Sequence, residues 1–127
     1  MEQTSTSDRT TVERPKRLIA SNRVEGTAVY NRDGEKLGRI ESFMVDKKSG
    51  QAEYAIMSFG GLFGLGDNHY PLPWNALDYD PDRGGYVVDL DKEKLKNGPS
   101  FRAGEEPAFD EDYGRGVYDY YGVVYTW

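Results

Sequence analysis

No cysteine occurs in this 127-residue chain, and histidine occurs once, as His69. The first absence excludes a disulfide framework, a thiolate nucleophile and any cysteine-based zinc or iron–sulfur centre. It is compatible with a reducing cytoplasm, where the protein is expected to reside. A lone histidine also rules out two-histidine metal motifs. Long apolar runs are missing too. The N-terminus has no signal-type apolar core, and no segment reaches the roughly 20 apolar residues of a bilayer span. The reading is a soluble chain with no membrane span. Positive charge is the minority sign, with 16 Lys and Arg against 22 Asp and Glu. The one basic cluster is Arg14, Lys16 and Arg17. Phosphate neutralisation needs more clustered cations than that, so nucleic acid is not an expected partner.

What is present fits one small domain with unpacked ends. Hydrophobic residues make up 37% and charged residues 30%, and the mean hydropathy is −0.78. Part of such a chain stays outside any core. Fifteen Gly and six Pro indicate many turns. Net charge is +2 over residues 1–23, −4 over 24–101 and −4 over 102–127. Residues 1–17, rich in Ser and Thr, read as a flexible arm, because they bury too little to repay ordering. The domain is expected over 18–101, with packing beginning near Leu18 or Val24. An acidic, Tyr-rich tail is expected over 102–127.

Within the domain, β-prone runs alternate with turn signals. Thr27–Tyr30 closes on Asn31-Arg32-Asp33-Gly34. Leu37–Asp46 carries two partly apolar sets, Ile40/Ser42/Met44 and Glu41/Phe43/Val45. Lys47-Lys48-Ser49-Gly50 is a second turn, so Val45–Ala55 predicts a hairpin, with Gly50 suited to positive φ. Gln51–Phe59 is a further strand, and Tyr86, Val88 and Leu90 alternate as a half-buried one. One short helical turn is predicted at Lys92–Lys96, capped by Asp91 and stopped by Asn97-Gly98-Pro99. The fold class is mainly β, a small antiparallel barrel-like sheet over about 24–90. Ile40, Phe43, Val45, Tyr54, Ile56, Leu72, Val88 and Leu90 are expected inside.

The run Gly26-Thr27-Ala28-Val29-Tyr30, then Gly34-Glu35-Lys36-Leu37-Gly38-Arg39-Ile40-Glu41, then Val45-Asp46 and Ser49-Gly50, resembles the opening of a PRC-barrel domain. Tyr54–Ser58, a glycine-rich loop and Tyr70-Pro71-Leu72-Pro73-Trp74 are similar to the family's later strands. The resemblance spans roughly Ser21–Phe101. It implies a small β-barrel related to the cytoplasmic domain of the photosynthetic reaction-centre H subunit and to the C-terminal domain of a ribosome maturation factor. The chain lacks the membrane helix of the former and the N-terminal domain of the latter. What carries over is the fold and a tendency to bind proteins.

The candidate sites each have a plainer reading. His69 as a base or ligand lacks spaced partners, so a packed loop-edge histidine is the simpler account. Gly61, Gly64 and Gly66 imitate a phosphate loop, but Pro71 and Pro73 follow where a helix N-terminus is required. The plainer reading is a flexible loop over the barrel mouth; the functional one is that Leu62, Phe63 and Leu65 offer an apolar contact to another subunit. Asp78, Asp80, Asp82 and Asp89 approach calcium-loop spacing, yet Arg83 stands where Gly is needed and Asp89 replaces the long bidentate Glu. The tail holds five of the ten Tyr; it docks on its own barrel or binds something else. Val117–Trp127 is expected to pack on a barrel, near Phe63, Leu65 and Trp74, with strand addition as one mode.

The sequence therefore predicts a non-catalytic stand-alone module, without cofactor or metal, that binds protein partners and self-associates as a homodimer. Partner-binding candidates are Leu62, Phe63, Leu65, Trp74, Tyr118, Tyr121 and Trp127. The alternative is an assembly factor for a photosynthetic or redox complex. A hydrolase built on His69 ranks last, because no nucleophile–base–orienter set is visible.

Overall fold

A helical turn at Ser21–Val24 (α1) is the first element among the described residues and buries only Val24, while Leu18 and Ile19 stay in solvent. The computed structural model describes residues 18–59 and 68–127. The expected arm 1–17 and the glycine-rich loop lie outside the described residues.

Seven strands follow: β1 (Ala28–Asn31), β2 (Lys36–Val45), β3 (Ala52–Ser58), β4 (Asn68–Pro73), β5 (Asp78–Asp80), β6 (Gly85–Val88) and β7 (Phe101–Arg102). They form one sheet in the order β5-β6-β1-β2-β3-β4-β7. Two expectations are corrected here. The sheet is mixed, since β1 pairs parallel with β6 through Val29↔Tyr86 and Asn31↔Val88. Among the described residues it is also open, since none of their pairings joins β5 to β7.

The predicted hairpin is present, with β2 antiparallel to β3 and Phe43 opposite Ala55. Asp46 shapes its turn: Oδ1 accepts from the amides of Lys48 (2.8 Å) and Ser49 (2.9 Å). Gly50 takes φ 76°, as the turn requires. The β1–β2 turn depends on more than Asp33-Gly34. Buried Asn31 accepts through Oδ1 from the amides of Asp33 (3.0 Å) and Glu35 (2.9 Å), and its Nδ2 donates to Glu35 Oε1.

A bulge in β2 decides which side chains face where. Ile40 pairs with Met57, but Ser42 pairs with Ile56, so Glu41 is the extra residue. The side-chain alternation shifts by one at that point. Ile40 joins the main core with Ala55, Met57, Leu72 and Val88, and Phe43 packs against it. Ser42 and Met44 pass to the opposite face, beside Tyr54 and Ile56. The set Ile40/Ser42/Met44 is therefore split. Val45 is a further correction: it is 46% exposed, because a second irregularity between Met44 and Val45 turns the strand end out of register.

The helical content exceeds the single predicted turn. Lys92–Lys96 (α2) forms as expected, with Asp91 Oδ1 accepting from the Lys94 amide at 2.7 Å. A 3-10 turn occupies Trp74–Ala76. The expected tail contains a helix, Glu111–Tyr121 (α3), and not an added strand over Val123–Tyr125. Asp110 caps its start by accepting from the Tyr113 amide at 2.9 Å, and Gly122 ends it at φ 69°. Val117 and Tyr118 lie buried against Tyr54 and Ile56, with Tyr125 and Trp127 folded over them. The docking is on this chain's own sheet.

Two glycines in α3 have opposite reasons. A Cβ on Gly114 would fall 2.6 Å from Tyr125 Cε1 and 2.7 Å from the Tyr54 hydroxyl, whereas one on Gly116 meets nothing within 4 Å. Gly116→Ala should raise stability by about 0.5–1 kcal/mol through helix propensity. Gly114→Ala should lower it by about 1–3 kcal/mol through overpacking. Urea midpoints of the two variants moving in the same direction would contradict this packing.

Candidate functional site

The face that the Glu41 bulge turns away from the main core carries a cleft. It holds about 330 Å³. Its floor is apolar, made by Met44 and Ile56 from β2 and β3, Phe101 from β7, and Pro107 and Phe109 from the segment leading into α3. Its rim is polar, with Glu41, Ser42, His69 and Glu106.

Phe109 shapes one wall at a backbone cost. It has φ 55°, the one non-glycine residue at positive φ among the described residues, a conformation that bulky side chains avoid. Its ring is held by Tyr54 at 5.3 Å, Tyr113 at 5.3 Å and Phe101 at 6.0 Å between centroids. Aromatic contacts of this kind contribute about 0.5–1.5 kcal/mol each, enough to offset the backbone. On the other wall the His69 ring lies 5.7 Å from Phe101, following the pairing His69↔Phe101.

Glu41 is fixed from behind. Ser58 Oγ donates to its Oε2 at 2.5 Å, and Arg39 Nε donates to the same oxygen at 3.1 Å. The serine hydroxyl, then the arginine, hold this carboxyl below its ordinary pKa, against a partial burial that raises it. The sign follows: the stabilisation is present above the ordinary value of 4.5 and is lost as pH falls through the depressed folded value. Ser58→Ala should move the Glu41 midpoint upward toward that ordinary value, read from its carboxyl carbon by NMR. An unmoved midpoint would remove the hydroxyl from this role.

The same contacts bear on catalysis. Ser58 spends its proton on Glu41 and not on His69, so these three residues do not assemble a nucleophile–base pair. The aspartates with calcium-like spacing fold as strand and turn. Asp80 Oδ1 accepts from the Asp82 amide at 2.9 Å, and Oδ2 faces Arg83 at 3.5 Å. Among the described residues no group of three or more His, Asp or Glu is placed to hold a metal.

The sequence-predicted contact residues are dispersed. Leu62, Phe63 and Leu65 lie outside the described residues. Trp74 is half-buried between Phe43 (5.8 Å) and Tyr86 (5.7 Å). Tyr118 is fully buried: its hydroxyl donates to the Glu53 carbonyl at 2.5 Å and accepts from Trp127 Nε1 at 2.9 Å. Tyr121 packs on the core with its hydroxyl buried and unpaired, and burial raises its pKa. The Tyr54 hydroxyl sits beside the Glu53 carboxylate without good hydrogen-bond geometry. Only Trp74 and Trp127 meet at a surface, across a shallow depression of about 420 Å³. The tail aromatics thus cover this chain's own sheet. Sequence reasoning missed Met44, Phe101, Glu106 and Phe109. The available signal was the two Phe flanking Glu105-Glu106, a spacing unusual for a purely solvated stretch.

No described helix is long and apolar enough to cross a membrane. A stretch of 78 residues is 28% identical to an uncharacterised protein of Deinococcus radiodurans, covering 61% of this chain and 27% of that relative. The chain thus spans little more than a quarter of that longer protein. The model of the PRC-barrel domain matches residues 16–95, well over half of the sequence and the run from α1 into α2. The chain belongs to the PRC-barrel domain family.

Proposed function

We propose that this PRC-barrel protein is a non-catalytic module that binds protein partners through the cleft between the β2–β3 face and the Phe101–Phe109 segment. The observation carrying this reading is a preformed apolar floor with a polar rim, on which Glu41 is held in place by the Ser58 hydroxyl behind it. Concave apolar surfaces with a few placed polar groups are the usual form of a binding site. A second copy of the chain is among the partners this surface admits. No described residue favours a photosynthetic or redox-assembly role, which stays outside the proposal.

Met44→Glu places a charge on the floor at a residue already 37% exposed, so the fold should tolerate it. Cross-linking in the native host should recover at least one protein with the parent chain that the variant loses. Identical recovery by both chains, with the variant folded, would refute the cleft as the contact surface. Sedimentation over a range of concentrations tests self-association in the same pair.

A further inference from the structure

We infer that the cleft takes the side chain of an arginine presented by a partner protein, an inference that rests on the reading above and names the ligand's chemistry. Three independent features of the walls converge on a planar cation. The first is charge. Glu41 and Glu106 stand on the rim, and Arg39 pairs with Glu41. Glu106 is exposed and makes no ion pair among the described residues. One carboxylate is therefore left uncompensated, which matches a single positive charge.

The second feature is ring chemistry. Phe101, Phe109 and His69 line the same space, with Phe101 within 6.0 Å of both other rings. Aromatic faces attract cations, and a guanidinium also stacks flat on them, which a compact ammonium does not. The third is the floor. Met44, Ile56 and Pro107 offer methyl and methylene surface to the three-carbon stem that an arginine buries while its head reaches a carboxylate. A phosphate or carboxylate ligand would meet like charge from Glu41 and Glu106 on the rim. A purely apolar ligand would leave Glu106 unanswered.

The chain's single histidine makes the test direct, since the His69 imidazole gives unique NMR signals from the cleft wall. The probe is N-acetyl-arginine amide, titrated into the full chain at constant pH. N-acetyl-citrulline amide, the neutral isostere, serves as control. Saturable His69 shifts with a Kd on the order of 1 mM are expected for a single side chain. Citrulline amide should bind about tenfold more weakly or worse, and Glu106→Gln should weaken the arginine probe by a similar factor. Equal shifts from both probes would mean a shape-selective apolar pocket and overturn the inference. Absence of a saturable shift up to about 50 mM, some fifty times that Kd, would also overturn it. The two readings separate cleanly: arginine binding that depends on Glu106, with host-protein recovery indifferent to Met44→Glu, overturns only the protein-partner reading.

Discussion

Gly38→Ala is expected to destabilise the protein by about 3 kcal/mol or more, the upper end for overpacking. Gly38 is buried in β2 between β1 and β3, opposite Val29. A Cβ there would lie 2.1 Å from the Ser58 carbonyl oxygen, 3.0 Å from its carbon and 3.2 Å from Phe59 Cα. All three neighbours are backbone, so no side chain can rotate away. Relief requires β2 and β3 to separate where they exchange ladder hydrogen bonds. The Leu37-Gly38-Arg39-Ile40 stretch that carries the family resemblance thus has a steric reason for its glycine. The effect should also reach the cleft, because Ser58 holds Glu41. Thermal or urea unfolding measures the loss, and a midpoint near that of the parent would show that the two strands approach less closely.

Ile56→Ala should cost about 2–5 kcal/mol, the range for truncating a buried branched side chain. Ile56 is 4% exposed and is shared by the α3 contact and the cleft floor. Two signals should therefore move together: the urea midpoint should fall, and amide protection in α3 should fall further than in β1 or β6. An unchanged midpoint would place this side chain outside the core. Loss of protection spread evenly over the sheet would mean that α3 and the strands open as one unit.

Local chemistry was legible in the sequence, and distant pairing was not. Asp91 before Lys92–Lys96 and Gly50 after Asp46 set their turns through contacts within five residues, so the residue types sufficed. The parallel contact of β1 with β6 joins positions more than fifty residues apart, and no turn signal announces it. The bulge at Glu41 had no mark in the sequence either, yet it reversed the expected faces of the next residues. Helix α3 was obscured by Gly114 and Gly116, which weaken helix propensity. Asp110 as N-cap, Gly122 as C-cap and Tyr113, Val117 and Tyr121 at helical spacing were nevertheless all present. The cleft draws residues from β2, β3, β4, β7 and the loop before α3. Such a set becomes visible only once the strands are ordered.

That strand order has a consequence for how the chain is made. The first strand, β1, lies in the interior of the sheet, and its partner on one side, β6, is completed only at Val88. As the polypeptide leaves the ribosome, β1, β2 and β3 can zip by short-range closure, while the other flank of β1 waits for the thirty residues between Ser58 and Val88. Parallel pairing at that separation demands its loop entropy in advance and is slow to nucleate. During this interval β1 is an open edge carrying Val29 and Tyr30, the kind of surface that recruits strands from neighbouring chains. Nascent chains stalled shortly before Gly85 should therefore be more prone to aggregate than those released after Val88, a difference set by the topology of one strand.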